Sequence, residues 1–369
     1  MFGAWLLIVR HRSLVPAVLG RYSWRYFAFL VASGVAIALF STTLRKPIAD
    51  RLFRARRELL LSFLLSIVLV ACATEITVRT WDLFGMSMYD EVEKYLQELV
   101  PDPVLSFRHP AGLRKIYQGV EVATNEIGLR DRPLRPKSPG VHRILLLGDS
   151  VTLGWGVPVE QTYGRRIEVA SARSTPQFET VNAGVSGYNT VQEFEFLKSA
   201  APLIKPDIVT LLFVENDVEP VIALPRGTRS LWQGPLFWLA RSRAFRFAYI
   251  MVPAYFGAQT PPPSDGAAWL ASMSALAGIY DYCHARDIPF AAFLYRQRPT
   301  PLTDRIWEDI SGVASARGFL AQDTAPWFKD VDLLEVVNSR VDVHPNAKGH
   351  QILADGITAA LRTTPSITH

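Results

Sequence analysis

The sequence predicts an α/β fold in which a parallel sheet is covered by helices on both faces, preceded by a membrane region. Two observations predict it. From residue 142 onward, apolar runs of strand length alternate with segments of helical spacing, a pattern typical of such sheets. Before residue 80, two apolar runs are each about long enough to cross a hydrocarbon core as a helix. Ligands of open parallel sheets bind at the carboxyl ends of the strands, so we look for the site there.

The predicted strands and helices alternate along the second half of the chain. The strands are expected at residues 143–147, 179–182, 208–214, 289–295 and 319–323. The helices are expected at residues 161–172, 191–200, 267–285, 302–316 and 346–361. These elements define a predicted domain over residues 142–369. An aromatic-rich insertion at residues 218–266 interrupts it, and this insertion could form a lid, pack against a membrane surface or fold as its own small core.

Residues 1–80 form the predicted membrane region, with helices at about residues 26–43 and 59–77. This region holds 11 of the 39 Lys and Arg residues and 3 of the 34 Asp and Glu residues, so it carries +8 while the remainder carries −3. The basic balance therefore does not support nucleic-acid binding, which would need a basic face on the folded domain. Six Lys and Arg residues lie between the two helices and four Arg residues precede them. Positive loops stay cytoplasmic. The six basic residues between the helices outnumber the four before the first helix, so the loop is expected in the cytoplasm and the predicted domain in the periplasm.

The two cysteines, Cys72 and Cys283, predict no disulfide framework and no cysteine-rich metal site. The sequence before Cys72, Leu-Val-Ala-Cys, is similar to a lipoprotein processing site. An ordinary small residue in a membrane helix is the favoured interpretation of this cysteine, because lipidation would need cleavage far from Met1.

Residues 81–141 form a lead-in segment between the membrane region and the predicted domain. Apolar spacing predicts a helix over residues 89–99, ended by Pro101 and Pro103. Alternation predicts a strand over residues 118–125, and residues 132–140 are typical of a linker. The expected role of the lead-in is to separate the membrane from the domain.

Polar residues follow the predicted strands. Ser150 lies in Gly-Asp-Ser directly after the first strand, where a hydroxyl can be presented at the carboxyl end of the sheet, although Gly-Asp-Ser is also ordinary turn chemistry. A glycine-rich loop, 182–190, follows the second strand and Asn216 follows the third. Asp342 and His344 are two residues apart, so in an extended segment they project to the same side. These are the parts of an acyl-transfer site.

Four blocks in this order, GDSVTLGWGV, NAGVSGYNT, VENDV and DVHPNAKGH, resemble the conserved blocks of the SGNH hydrolases, also called GDSL esterases and lipases. The resemblance implies a flavodoxin-like three-layer α/β/α fold with a parallel five-stranded sheet. It implies Ser150 as nucleophile, His344 as base and Asp342 as the acid that orients it. It also implies an oxyanion hole formed by Ser150, Gly187 and Asn216, with no metal and no organic cofactor.

Two positions depart from the family pattern. Val214 stands where the third block usually begins with glycine, so the strand end must accommodate a larger side chain. The acid more often lies three residues before the histidine, whereas Asp342 lies two before it. If Asp342 points away, the alternatives are Asp332 or a backbone carbonyl that holds the histidine. Asp149 is expected to brace the turn.

The expected function is that of a membrane-anchored serine esterase, acting outside the cytoplasm on O-acyl esters of a cell-surface glycan or lipid. Two alternatives remain open: an O-acyltransferase that uses the same triad, and a non-catalytic envelope scaffold. The expected partners are the acyl-ester substrate and the membrane, and the oligomeric state is left open. The remaining histidines are expected to be structural or exposed, namely His109, His142, His284 and His350.

Overall fold

The computed structural model describes residues 24–43, 56–82, 87–172, 176–221, 242–245 and 266–364. The chain divides into two compact units. Of the described residues, the first contains 24–43, 56–82, 87, 242–245 and 339–341, and the second contains 88–172, 176–221, 266–338 and 342–364. Helices α1 (Trp24–Thr43) and α2 (Arg56–Trp81) belong to the first unit.

Within the described residues, one segment has the length and composition to cross a membrane. It is the 22-residue segment Leu60–Trp81 of α2, and only 6% of its 18-residue apolar stretch is buried, unlike a mostly buried core helix. Helix α1 forms where a membrane helix was predicted. The part of α1 whose side chains the structure describes is apolar over Phe27–Ile37, and a full span needs roughly 20 residues. The first of the two predicted spans therefore stays a prediction.

Part of the predicted insertion contacts the end of α2. Glu75 accepts hydrogen bonds from Ser242 Oγ at 2.7 Å and from the backbone N–H of Ala244 at 3.0 Å. Residues 222–241 and 246–265 lie outside the described residues. The lid, the membrane-facing surface and the separate core therefore remain three hypotheses for the insertion.

The lead-in forms a helix and two antiparallel hairpins. They are α3 (Ser87–Glu98), β1 (Val100–Asp102) with β2 (Ser106–Arg108), and β3 (Arg114–Tyr117) with β4 (Val120–Ala123). The strand predicted at residues 118–125 begins two residues too early, because Gln118 and Gly119 form the turn between β3 and β4. Their φ angles are 50° and 75°, as a two-residue hairpin turn with positive φ at both positions requires. The predicted linker, residues 132–140, has no regular structure.

The central sheet has five parallel strands, as predicted. The strands are β5 (Val141–Gly148), β6 (Gln177–Asn182), β7 (Ile208–Phe213), β8 (Phe290–Leu294) and β9 (Leu320–Asp323), in the order β6-β5-β7-β8-β9. The accompanying helices are α4 (Ser150–Leu153), α5 (Tyr163–Ser171), α6 (Thr190–Ile204), α7 (Ala267–His284), α8 (Pro301–Arg317), α9 (Leu333–Val336) and α10 (Ala347–Thr363). Numbered along the sheet, this is the 2-1-3-4-5 order of flavodoxin-like folds.

Both faces of the sheet are buried, which explains the nearly continuous apolar strands. On β5, Leu145 and Leu147 pack into one core cluster, and Ile144 and Leu146 pack into the cluster on the opposite face. Each fully buried side chain of this size contributes roughly 1.5–3 kcal/mol. With helices over both faces, polar side chains are placed beyond the strand ends, where the predicted site residues lie.

Candidate active site

Ser150 stands at a sharp turn where β5 passes into α4. Gly148 has a φ of 155°, and a Cβ there would lie 2.0 Å from the Thr152 hydroxyl oxygen, so the turn excludes any larger residue. Asp149 accepts a hydrogen bond from the backbone N–H of Val151 at 2.9 Å, which braces the start of α4 as expected for that aspartate. The local sequence thus fixes the backbone that presents Ser150.

His344 and Asp342 complete a chain of contacts that begins at Ser150. His344 Nε2 lies 2.8 Å from Ser150 Oγ, and His344 Nδ1 lies 2.5 Å from Asp342 Oδ1. The intervening Val343 is 57% exposed while Asp342 is 2% exposed, so the two polar side chains project to one side of an extended segment. The spacing of two residues is therefore compatible with contact between acid and histidine.

Asp342 is held by donors on both carboxylate oxygens. Oδ2 accepts from Gln118 Nε2 at 2.9 Å and from Asn338 Nδ2 at 3.3 Å, while Oδ1 also accepts from the His344 backbone N–H at 3.2 Å. Burial alone would raise the pKa of Asp342, but the hydrogen bond and charge of His344 and the bond from Gln118 outweigh it and lower that pKa. Asp342 is therefore ionised at neutral pH.

Neither alternative for the acid is realised in this geometry. Asp332 caps α9 by accepting the Leu334 backbone N–H at 2.9 Å. His344 Nδ1 contacts the Asp342 carboxylate rather than a backbone carbonyl.

Asn216 lies beside the serine, in a short 3-10 turn over Glu215–Val218 that follows β7. Its Nδ2 is 3.3 Å from Asp149 Oδ2, an oxygen that also accepts from Ser150 Oγ at 3.1 Å. Val214 has a φ of −120°, an ordinary extended conformation that does not require glycine. Its side chain packs against the core, so valine is accommodated at this strand end.

Gly187 lies in the loop between β6 and α6 with a φ of 85°, a conformation that favours glycine. The loop runs along the end of β5, since the Val185 N–H donates to the Gly148 carbonyl at 3.3 Å. A different glycine makes the closest approach to α4: a Cβ on Gly184 would lie 2.1 Å from the Leu153 nitrogen. Gly187 is not among the residues that line the cavity described next, so its role as an oxyanion donor stays a prediction.

A cavity of about 330 Å³ opens at the serine and is lined by Ser150, His344, Asn216, Glu215, Tyr295 and Arg298, among others. Its volume is at the lower end of the range for small-molecule sites. On its wall, Arg296 pairs with Asp304 at 2.6 Å and with Asp323 at 2.7 Å. These two ion pairs fix the loop that follows β8.

The model of the GDSL-like lipase/acylhydrolase family matches residues 146–352, more than half of the chain. The chain belongs to this family. It is accordingly a hydrolase that acts on ester bonds. The matched range includes Ser150, Gly187, Asn216, Asp342 and His344, but it excludes the lead-in.

Proteins of known structure also resemble the chain. A putative lipolytic protein from Desulfitobacterium hafniense DCB-2 is 14% identical, with a TM-score of 0.38, over 59% of this chain and 98% of that one. The acetylxylan esterase Axe2 from Geobacillus stearothermophilus is 16% identical, with a TM-score of 0.40, over 59% and 93%. The esterase EstA from Pseudoalteromonas sp. is 14% identical, with a TM-score of 0.40, over 60% and 97%. Among curated proteins, none matches the chain.

Two histidines of this GDSL hydrolase are buried away from the serine and bonded to their surroundings. His350 accepts the Tyr163 backbone N–H at 3.2 Å, and burial lowers its pKa to about 3. His109 contacts Tyr95 Oη at 2.6 Å, and burial lowers its pKa to about 4. Both are therefore neutral at pH 7. In the part of the chain that the structure describes, no group of three or more His, Cys, Asp or Glu side chains could hold a metal.

Two buried carboxyl groups near the candidate site were not identified from the sequence. Glu193 on α6 and Asp217, next to Asn216, are 1% and 0% exposed. Neither oxygen of Glu193 has a hydrogen-bond partner among the described residues, whereas Asp217 Oδ2 accepts the Val214 N–H at 2.6 Å. Burial, and then the charges of neighbouring carboxylates, raise the pKa of both groups well above the ordinary value. No motif in the sequence marks Glu193.

Proposed function

We propose that this chain is a membrane-anchored serine esterase that hydrolyses O-acyl esters outside the cytoplasm, with Ser150 as nucleophile, His344 as base and Asp342 as its orienting acid. The observation that carries the proposal is the continuous contact from the serine oxygen through the imidazole to a buried carboxylate, at 2.8 and 2.5 Å. A weak nucleophile, a base and a group that orients the base are what acyl transfer to a serine requires.

The proposed reaction begins when Ser150 Oγ attacks the ester carbonyl carbon and His344 Nε2 accepts the hydroxyl proton. Asp342 stabilises the imidazolium through Nδ1. The tetrahedral intermediate then collapses: the alcohol leaves with the proton from His344, and the acyl group remains on Ser150. Water attacks this acyl ester, His344 accepts its proton, and the carboxylic acid departs as that proton returns to Ser150.

The negative oxygen of each tetrahedral intermediate needs donors that are already in place. We assign this role to Asn216 Nδ2, the Ser150 backbone N–H and the Gly187 backbone N–H. Asn216 is supported by its position beside Asp149 and Ser150 on the cavity wall. Removal of one such donor in other enzymes raises the barrier by about 3 kcal/mol.

The proposed location rests on α2 and on the charge of the N-terminal region. The residues of Leu60–Trp81 are almost entirely unburied, and exposed apolar surface of this extent is covered by lipid when a helix spans a membrane. The basic segment before α2 favours the cytoplasmic side, and this supports a periplasmic location for the residues that follow α2. We therefore propose an envelope glycan or lipid that carries an O-acyl group as the substrate. A reporter fused after His369 that is active only in the cytoplasm would contradict this orientation.

The first experiment compares the purified full-length chain with Ser150→Ala, using an aryl acetate and a fluorophosphonate probe. Ser311→Ala is the matched control, because Ser311 is a partly exposed serine on α8 whose hydroxyl donates to the Glu308 carbonyl of the same helix. We expect Ser150→Ala to abolish labelling and turnover, while Ser311→Ala behaves as the unaltered protein does. Unchanged labelling in Ser150→Ala would exclude Ser150 as the nucleophile, and absence of turnover in the unaltered chain would favour the scaffold hypothesis.

Hydrolysis and transfer are separated by adding an oligosaccharide acceptor to the same assay. An esterase releases free acid at the same rate with and without the acceptor. Acceptor-dependent consumption of the donor ester with little free acid would establish the acyltransferase instead.

A further inference from the structure

Gln118 belongs to the lead-in, outside the residues that the family model matches, and it stands at the tip of the hairpin between β3 and β4. Its φ of 50° is uncommon for a residue other than glycine. The backbone N–H of Gln118 donates to Glu91 Oε2 at 3.2 Å, which ties the tip to α3. The backbone of Gln118 is therefore fixed from two sides, by the turn and by this bond.

The side chain of Gln118 reaches Asp342 across 224 positions of sequence, with Nε2 at 2.9 Å from Oδ2. Gly156 leaves room for this contact: a Cβ there would lie 2.9 Å from Gln118 Oε1 and 2.2 Å from Asn338 Nδ2. The side-chain amides of Gln118 and Asn338 therefore lie against Gly156, where a larger residue would displace them from Asp342. Asp342 Oδ1 already contacts the imidazole, so the amides of Gln118 and Asn338 hold the other oxygen.

We infer that Gln118 is a positioning residue for Asp342 and that the lead-in is part of the catalytic unit. Without Gln118, Asp342 Oδ2 would keep only the longer bond from Asn338 at 3.3 Å. A buried carboxylate that loses its shorter donor is less well satisfied, and its orientation towards the imidazole is then less restricted. The inference rests on the triad proposed above, because Gln118 acts only through Asp342 and His344.

Two other lead-in residues contact the segments that carry site residues. Tyr95 Oη accepts the backbone N–H of Ser186, the neighbour of Gly187, at 3.2 Å. Arg130 is 1% exposed and donates to the carbonyls of Leu153 at 3.0 Å and Gly154 at 2.7 Å, at the end of the helix that begins with Ser150. The lead-in therefore bonds to the segments of Ser150, Gly187 and Asp342 alike, which a simple spacer would not need to do.

The test is Gln118→Asn in the full-length chain. Asparagine tolerates positive φ well, so the turn is preserved, but its side chain is one methylene too short for the 2.9 Å contact. We expect kcat for an aryl acetate to fall about tenfold, equivalent to roughly 1.4 kcal/mol, with KM unchanged and Tm lowered only slightly. Gln118→Met, which keeps the length but lacks the donor, is expected to lose the same factor in kcat. Ile116→Met is the control, because Ile116 is 68% exposed on the same hairpin.

Rates are normalised to the serine sites titrated by a fluorophosphonate, so a fraction of misfolded protein does not imitate a catalytic effect. The bond from Gln118 lowers the pKa of Asp342, so its loss is expected to move the acid limb of the kcat/KM profile to higher pH. A normalised kcat and an acid limb equal to those of Ile116→Met in both Gln118 variants would overturn the inference. Failure of the triad itself is distinguished by the unaltered chain, which would then neither label at Ser150 nor hydrolyse the ester.

Discussion

Asp342 and Glu193 are both almost completely buried carboxyl groups, 2% and 1% exposed, yet their hydrogen-bond partners differ. Asp342 accepts bonds from the side chains of His344, Gln118 and Asn338, and its pKa is lowered. Glu193 has no partner for either oxygen among the described residues, and its pKa is raised. The comparison teaches that donors, rather than depth, decide which buried carboxyl keeps its charge. Of the two, Asp342, whose pKa is lowered, contacts the imidazole.

The largest expected effect comes from applying the same isosteric change to both groups. Asp342→Asn should reduce kcat by about 10³- to 10⁴-fold, as the equivalent change does in other triads, because the amide favours the wrong tautomer of His344. Glu193→Gln should leave kcat within about twofold, because burial raises the pKa of Glu193 and so favours its uncharged form, which glutamine resembles. Steady-state kinetics on an aryl acetate, normalised by active-site titration, measures both.

The contrast between Asp342 and Glu193 would be contradicted if Asp342→Asn and Glu193→Gln changed kcat by similar factors. Equal loss of kcat in both variants would mean that Glu193 takes part in the reaction. Retention of activity in Asp342→Asn would mean that the imidazole is oriented by another group.

Asn216→Ala is expected to reduce kcat about a hundredfold with little change in KM. The amide shares Asp149 Oδ2 with Ser150 Oγ, and in the proposed mechanism it donates to the oxyanion. Its own Oδ1 is buried without a partner among the described residues, so Tm should fall little. A large fall in Tm with unchanged kcat per titrated site would instead make Asn216 a structural turn residue.

The smallest expected effect concerns stability and its dependence on pH. Because burial raises the pKa of Glu193 in the folded state, the unfolded chain loses this proton at a lower pH than the folded chain does. The free energy of unfolding therefore falls as pH rises from the ordinary pKa of glutamate to the higher pKa of folded Glu193. Glutamine does not titrate. Glu193→Gln should therefore raise Tm by roughly 3 °C at pH 8 and by less at pH 4.5, as measured by thermal unfolding. A gain that is the same at both pH values would show that Glu193 is ionised in the folded chain.

The sheet and the serine turn were predictable because their signals are local. Each strand of the central sheet is a short apolar run, and Gly-Asp-Ser directly follows the first. The rule that parallel strands end at one edge then brings Ser150 and Asn216 together. His344 follows no strand of the sheet, and it was predicted from the block that precedes the last helix. The helix bounds were also close: α8 spans residues 301–317, and the prediction was 302–316.

The support around the triad was not predictable from one sequence. Gln118 was placed in a strand, because the alternation after it hid a two-residue turn, and its contact with Asp342 spans 224 positions. Burial without partners, as at Glu193, depends on how α6 packs in the folded domain, and no residue pattern records it. Propensity and periodicity describe neighbours in the chain, whereas these contacts are between elements far apart in it.

The most direct test of the central claim is a crystal structure of the chain after reaction with an alkyl fluorophosphonate. The account predicts a phosphorus–oxygen bond at Ser150 Oγ, with the phosphoryl oxygen within hydrogen-bond distance of Asn216 Nδ2 and the backbone nitrogens of Ser150 and Gly187. It also predicts that Asp342 remains in contact with both His344 and Gln118. An adduct on another residue, or a phosphoryl oxygen directed away from Asn216, would contradict it.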